Sequence, residues 1–137
     1  MHGSKITAIE YYLPKNIENN KLLKKNNPKI NIERIKEKTG IDNRYISSKN
    51  ETVIDISIKC SNKVFKKFPK KKIDLIVLVT QTSPYRIPTT ACILQDKLGL
   101  RKDVIAFDIN LGCSGFLYAL RMTTSLIESK QIKNGLI

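Results

Sequence analysis

The stretch "DVIAFDINLGCSGFLYALRMTTSLI" (residues 103–127) decides the fold that the sequence predicts. Its first seven residues form an apolar run, which is typical of a strand buried on both faces of a sheet. From Cys113 onward, the apolar residues have the spacing of a long helix. Gly112 and Gly115 flank this cysteine at the turn from strand to helix. A buried structural cysteine does not need this setting, which suits a nucleophile.

The same alternation of strand and helix continues on both sides of this stretch. "IDLIVLV" (residues 73–79) predicts a second buried strand, and "TTACILQDKLGL" (residues 89–100) predicts a helix after it. Residues 53–68 predict an earlier helix that ends before Pro69, and "NGLI" (residues 134–137) predicts the start of a third strand. Such alternation is typical of a parallel sheet between layers of helices.

The first half of the chain has weaker signals. "ITAIEYYL" (residues 6–13) predicts a strand because it is rich in β-branched and aromatic residues, and Pro14 closes it. Residues 32–38 predict a short helix with Gly40 as its stop signal. The following "TGIDNRYI" (residues 39–46) is predicted to be a turn.

Length and composition indicate one globular domain. The chain has 137 residues, of which 41% are hydrophobic and 27% are charged. No apolar run approaches the roughly 20 residues that span a bilayer, and no signal peptide pattern opens the chain, so we expect a cytoplasmic protein. Its three cysteines lie far apart without a C-x-x-C motif, which argues against a zinc site and against a disulfide framework.

The formal net charge of +13 has two interpretations. Basic proteins often bind phosphates, whether in nucleic acid, in a coenzyme or on an acidic partner protein. Alternatively, the composition is simply rich in lysine, isoleucine and asparagine. The main cluster, "KKFPKKK" (residues 66–72), follows a predicted helix and has the character of a solvated surface. No interleaved aromatic residues indicate stacked bases.

Cys113 has the features of a nucleophile, although a structural coincidence stays open. A helix that begins at this residue places the sulfur near unpaired N–H groups and the positive end of the helix dipole, which favour the thiolate. The same N–H groups would bind an oxyanion, and the glycines at 112 and 115 would leave room for an acyl group. Cys60 and Cys92 are expected to be core residues.

A catalytic partner for Cys113 is not evident. The single histidine, His2, lies in a polar N-terminal stretch and is not expected to be catalytic. Asp108 lies within the preceding strand, and Glu128 lies several turns along the helix. That helix is apolar around much of its circumference, so we expect either a partner or further protein to cover it.

Five stretches together resemble the first part of a beta-ketoacyl-[acyl-carrier-protein] synthase III, of the thiolase-like superfamily. The likeness extends over the whole chain and over somewhat under half of a full-length member. The matching stretches are "ITAIEYYLP", "KTGIDNRYI", "ETVIDIS", "IDLIVLVTQTSPYRIPTTACILQDKLGL" and "AFDINLGCSGFLYAL". The resemblance implies an α/β fold: the N-terminal half of an αβαβα layered arrangement with a mixed, largely parallel sheet. Residues 1–137 would then be an incomplete, N-terminal half domain.

The resemblance also implies an activity, that of an acyltransferase of fatty acid biosynthesis. Cys113 would accept an acyl group from acyl-coenzyme A, and malonyl-acyl carrier protein would then decarboxylate and condense with it. The family's His and Asn for decarboxylation, and a glycine of its oxyanion hole, come from a second half that this chain lacks, so we expect acylation without condensation. The family acts as a homodimer and needs no metal or other cofactor, and neither nucleic acid nor membrane is an expected partner.

Four further residues are assigned to substrate binding by the resemblance. Arg34 and Lys38 stand where the family has an aromatic residue and an arginine for the coenzyme A nucleotide, and Thr39 begins the T-G-I turn. Ile87 stands where many members have Phe, in a loop that reaches across the dimer to the partner's acyl pocket. The change predicts an altered acyl-chain preference.

Two other functions remain as alternatives. One is a different thiolase-like enzyme, such as a hydroxymethylglutaryl-coenzyme A synthase. The other is a non-catalytic basic module that binds nucleic acid or acyl carrier protein. Salt-dependent binding to nucleic acid that is unaffected by Cys113→Ala would favour the module.

Overall fold

The structure, a computed structural model, describes residues 3–137, which divide into two compact units. The smaller unit, residues 12–52, contains β1 (Asn16–Asn19), α1 (Asn20–Asn26), α2 (Ile32–Thr39) and β2 (Asn43–Ile46). The larger unit, residues 3–11 with 53–137, contains α3 (Val53–Phe65), β3 (Leu75–Val79), α4 (Thr90–Lys97), β4 (Ile105–Ile109), α5 (Gly115–Glu128) and β5 (Gly135–Leu136). The α/β class is therefore as predicted.

The larger unit is built on a three-stranded sheet in which all described strands are parallel. Its order is β4-β3-β5, so β3 is central, with Leu75 level with Ile105 on one side and with Gly135 on the other. The predicted parallel sheet is confirmed, including the strand at residues 134–137. The antiparallel pair that the described residues do contain, β1 with β2, belongs to the smaller unit.

Both faces of β3 are covered, which explains its uninterrupted apolar sequence. Ile76 faces a cluster formed with α3 and α4, whose buried members include Ile54, Leu94 and Leu98. Leu75 and Val77 face the opposite cluster, formed with α5. The alternation of side chains along a strand thus places helices on two sides of the sheet.

α5 has one buried face and one exposed apolar face. Ala119 and Thr123 are buried against the sheet. The exposed large side chains of this helix are Phe116, Leu117, Tyr118 and Met122. The prediction that α5 has apolar side chains beyond those that pack on the sheet is therefore confirmed. At 14 residues the helix is short, and none of the helices in residues 3–137 is both long and apolar enough to cross a membrane.

The predicted strand at residues 6–13 is wrong. The segment has no strand assignment, because it shares no backbone ladder with another strand among the described residues. It is fixed instead by α3 and the residues that follow it. Cys60 Sγ donates to Glu10 O over 3.3 Å, and Lys67 Nζ lies 2.6 Å from Glu10 Oε1. β-branched composition indicated an extended backbone but could not identify a pairing partner.

The assignment of residues 43–46 and the end of α3 also differ from the prediction. Residues 43–46, predicted as part of a turn, form β2 because they pair with β1. α3 ends at Phe65, three residues before the predicted end, and Phe68 N closes a turn onto Val64 O. The stop at Gly40 is confirmed, since this residue adopts a left-handed conformation (φ 68°) after α2.

Candidate active site

Cys113 lies in the turn between β4 and α5, at the carboxyl edge of the parallel sheet. It is exposed, and α5 begins two residues later than predicted, at Gly115 with Ser114 as its N-cap. The loop from Thr80 to Thr89, which follows the neighbouring β3, leaves the sheet at the same edge. Ligands of open parallel sheets bind in this position, outside the carboxyl ends of the strands.

Some of the backbone N–H groups at the start of α5 are already engaged, and the binding of an oxyanion by the others stays a prediction. Gly115 N donates to Gly112 O over 2.9 Å, and Leu117 N and Tyr118 N both donate to Ser114 O. These donors close the turn around the cysteine. An oxyanion formed at Cys113 would need other donors.

The two glycines serve packing rather than an incoming acyl group. A Cβ on Gly115 would lie 2.5 Å from Val79 Cγ1, so the missing side chain lets α5 approach β3 closely. A Cβ on Gly112 would lie 3.2 Å from Oε1 of Gln81, so that amide occupies the space beside this glycine. Side chains of the chain itself therefore lie where a Cβ on either glycine would project.

Asp108 has a role that the sequence analysis did not find. It lies in β4, as predicted, but its carboxylate accepts hydrogen bonds from Thr90 N (2.8 Å) and Ala91 N (2.7 Å) at the start of α4. It also accepts one from Ser83 Oγ (3.2 Å). The available signal was a carboxylate inside an otherwise apolar buried strand, because such a group requires partners.

No base for the thiol is evident near Cys113 in the described residues. His2 lies outside them. Glu128 is the last residue of α5, at the opposite end from the cysteine. Residues 3–137 contain no group of three or more His, Cys, Asp or Glu side chains that could hold a metal ion.

The predicted nucleotide-binding residues lie together on α2 in the smaller unit. Arg34 and Lys38 are exposed and four positions apart, so they share one face of the helix. Neither forms an ion pair with a described carboxylate, whereas Lys36 pairs with Asp42. Two cations thus stand free on one surface.

Thr39 is already engaged by the backbone. Its hydroxyl donates to Ile35 O over 2.7 Å and accepts from Ile41 N over 3.2 Å. These two bonds help to end α2 at its left-handed glycine. They favour a structural role for this side chain.

Ile87 lies in the loop between β3 and α4 and is 90% exposed. It precedes Pro88 through a cis peptide bond. Tyr85 in the same loop is also exposed. Two large apolar side chains on one loop are unusual for a surface that meets only water.

The three cysteines differ in environment, and all are free thiols. Cys60 is half-buried and belongs to neither core cluster, so its predicted core position is only approached, and burial raises the pKa of its thiol. The prediction of a core position for Cys92 is wrong, since this residue is exposed. α4 buries Ala91 and Leu94 against the sheet, whereas Cys92 lies at the edge of this face, with its Sγ 3.8 Å from Ala106 O of β4.

These environments predict an order of alkylation. Near neutral pH, iodoacetamide should modify Cys92 and Cys113 several times faster than Cys60, because the raised pKa and the burial of Cys60 both reduce attack by its thiolate. Peptide mass spectrometry over a time course measures the three rates. In urea the rates should become similar. Equal rates in the folded protein would contradict the burial of Cys60.

The chain is similar to proteins of one known family. The family model described as 3-Oxoacyl-[acyl-carrier-protein (ACP)] synthase III matches residues 107–137, which include Cys113 and all of α5. The Beta-ketoacyl-[acyl-carrier-protein] synthase III of Clostridium perfringens (strain SM101 / Type A) is 42% identical over 139 residues. The alignment covers the whole of this chain. This chain is therefore similar to part of the beta-ketoacyl-[acyl-carrier-protein] synthase III proteins.

The relatives are considerably longer than this chain. The alignment covers 42% of the Clostridium perfringens protein. The Beta-ketoacyl-[acyl-carrier-protein] synthase III of Acholeplasma laidlawii (strain PG-8A) is 41% identical over 140 residues, covering 97% of this chain and 43% of the relative. The chain therefore spans about two fifths of the length of these synthase III proteins.

Solved structures support the same relationship. A crystal structure of 3-oxoacyl-(acyl-carrier-protein) synthase III superposes with a TM-score of 0.84 at 35% identity, covering 93% of this chain and 38% of the other. The synthase III of Aquifex aeolicus VF5 superposes with a TM-score of 0.80 at 38% identity, covering 90% and 40%. The fold is thus that of thiolase-like synthase III enzymes.

Proposed function

We propose that Cys113 is the acyl-accepting nucleophile of a 3-oxoacyl-[acyl-carrier-protein] synthase III. The observation that carries this proposal is the position of an exposed thiol at the carboxyl edge of the sheet, within the residues that match the family model. The thiolate attacks the carbonyl carbon of an acyl-coenzyme A, and the coenzyme A thiolate leaves. An acyl-cysteine thioester remains on the protein.

In the full-length enzyme, the proposed acylation is followed by a condensation. Malonyl-acyl carrier protein loses carbon dioxide, and the resulting carbanion attacks the thioester, which releases a 3-oxoacyl product and regenerates the thiol. In this proposal residues 1–137 form an N-terminal half domain of an enzyme of fatty acid biosynthesis. Decarboxylation and condensation are proposed for the whole enzyme, and the step assigned to these residues is the acylation of Cys113.

Substrate recognition is assigned to the two unpaired cations of α2. Arg34 and Lys38 are exposed on one helix face, where a phosphate of coenzyme A or an acidic carrier protein would bind. Thr39 is the weakest member of this set, because its hydroxyl is engaged by the backbone. No metal or other cofactor takes part in the proposed chemistry.

Ile87 is assigned to the acyl pocket of a partner subunit in a cytoplasmic homodimer. Its 90% exposure is costly for an apolar side chain unless another surface covers it. The exposed apolar side chains of α5 are a second surface of the larger unit that another protein surface would cover. An isoleucine in place of a phenylalanine changes the space for the acyl chain.

The proposed acylation is tested by incubating the chain with acetyl-coenzyme A and longer acyl donors. Intact mass should increase by one acyl group, and peptide mapping should locate it at Cys113. Cys92→Ala is the matched control, since it removes another exposed thiol and should be acylated like wild type. Prior treatment with iodoacetamide should abolish the adduct. An adduct spread equally over Cys92 and Cys113, or none with any donor, would contradict the proposal.

A further inference from the structure

The carboxylate of Asp108 replaces the missing side-chain cap of α4. Thr89, at the N-cap position, makes no capping bond with its side chain. The two oxygens of Asp108 instead accept from the backbone N–H groups of Thr90 and Ala91, at 2.8 and 2.7 Å. A negative charge at a helix N-terminus is favourable in this position. These two bonds satisfy two of the first backbone N–H groups of α4 and so cap the helix.

The third bond of Asp108, from Ser83, is not needed for the cap. Ser83 Oγ lies 3.2 Å from Asp108 Oδ2 and 2.6 Å from Thr90 Oγ1. A carboxylate only accepts, so the Ser83 proton is directed to Asp108, and the Thr90 hydroxyl donates to Ser83. This ordered chain of hydrogen bonds fixes the loop that follows β3.

The fixed loop contacts the residues before Cys113 at two more places. Thr80 N donates to Ile109 O over 3.2 Å, which continues the ladder between β3 and β4. One residue later, the Gln81 side chain fills the space beside Gly112. The loop thus contacts residues 109 and 112, which directly precede Cys113 in the chain.

We propose that Asp108, acting through Ser83, is a positioning residue for Cys113. By holding the loop it keeps Gln81 against Gly112 and so fixes the turn that presents the sulfur to an acyl donor. The inference deepens the proposed function and rests on Cys113 as the acyl acceptor. Geometry of this kind matters because a misplacement of about 1 Å can lower a rate by about 100-fold.

Ser83→Ala separates positioning from capping. It removes the link to the loop but leaves both backbone N–H bonds of Asp108 in place. We expect acylation of Cys113 by acetyl-coenzyme A to fall about tenfold. Carbamidomethylation of Cys113 by the small reagent iodoacetamide, and the thermal midpoint, should stay close to wild type. A merely structural residue would alter all three together.

Two further variants complete the test. Asp108→Asn weakens both functions, so acylation and the thermal midpoint should fall together. Asp96→Asn is the control, since Asp96 is exposed on α4 and pairs with Lys102; all measurements should match wild type. If Ser83→Ala is acylated at the wild-type rate, the positioning role is overturned.

A failure of the proposed function is distinguishable from a failure of this inference. If wild type forms no acyl adduct at Cys113, the nucleophile proposal fails. Amide hydrogen exchange of residues 112–114 then decides the positioning role by itself. Faster exchange in Ser83→Ala than in wild type and Asp96→Asn supports the attachment of the loop. Unchanged exchange overturns it.

Discussion

Replacing Gly115 with alanine should lower the free energy of unfolding by about 3 kcal/mol, because the new methyl group has no space. An ideal Cβ at this position would lie 2.5 Å from Val79 Cγ1 and 3.2 Å from Leu111 Cβ. Carbon atoms in contact prefer separations of about 3.5–4.0 Å. α5 would have to move away from β3, and urea denaturation followed by circular dichroism measures the loss.

A second substitution tests the physical cause. In a Val79→Ala background the Cγ1 atom is absent, so Gly115→Ala should cost less than about 1 kcal/mol. Gly3→Ala is the matched control, since nothing lies within 4 Å of a Cβ at that position. Strict additivity of the Gly115 and Val79 substitutions would show that the contact between α5 and β3 is not the cause.

The same substitution bears on the proposed chemistry. Cys113 lies two residues before the start of α5, so a displaced helix start also displaces the thiol. If the turn is what presents the sulfur, acylation of Cys113 should fall in Gly115→Ala and recover in part in the double variant. Glycine at 115 therefore contributes to the site through packing, which differs from the open access predicted from the sequence.

The centre of the fold could be predicted because local and tertiary signals agree there. β3 and β4 are apolar runs of strand length, and α4 and α5 have helical spacing, so each element has one interpretation. The burial of β4 on both faces was wrongly predicted, because β4 is an edge strand of the described sheet and its residues are only partly buried or exposed. Residues 6–13 lack this agreement. Their composition favours an extended backbone, but a strand also needs a partner, and pairing is a long-range property that composition does not contain.

The candidate site was predictable in part. The setting of Cys113 between a strand and a helix is encoded locally, and the structure has that arrangement. The partners of Asp108 are not local, since they lie 17 and 18 residues earlier in the chain. Cys92 was misassigned because a cysteine on a short amphipathic helix gives little information about which face is buried. Its neighbours Ala91 and Leu94 occupy that face.

Asp74 links β3 to the segment before β5 at the opposite edge of the sheet, and its replacement should cause the second large loss of stability. Its carboxylate accepts from Lys133 N (2.9 Å), Asn134 N (3.1 Å) and Arg101 (2.9 Å), and so it fixes the chain just before β5. Asp74→Ala should lower the free energy of unfolding by about 2 kcal/mol, because hydrogen bonds to a charged group are lost. Chemical denaturation at neutral pH measures this.

Asp103→Ala is the matched control for the ion pair. Asp103 binds the same guanidinium over 3.0 Å, but its side chain is 73% exposed, whereas that of Asp74 is 23% exposed. We expect Asp103→Ala to remain close to wild type, since exposed pairs contribute little. An equal loss in both aspartate variants would mean that Arg101, rather than the backbone N–H groups of residues 133 and 134, carries the effect.

The charge of Asp74 also predicts a pH dependence. Burial raises the pKa of this carboxyl, but the bonds from Arg101 and the two backbone N–H groups outweigh it, so the pKa is lowered from 3.8. A group with a lowered folded pKa stabilises the fold above its unfolded pKa, and this contribution is lost as the pH falls through the folded value. Wild type should therefore lose more stability than Asp74→Asn between neutral pH and acid below pH 3.8. Parallel pH profiles of the two proteins would contradict a charged Asp74 as the link between β3 and β5.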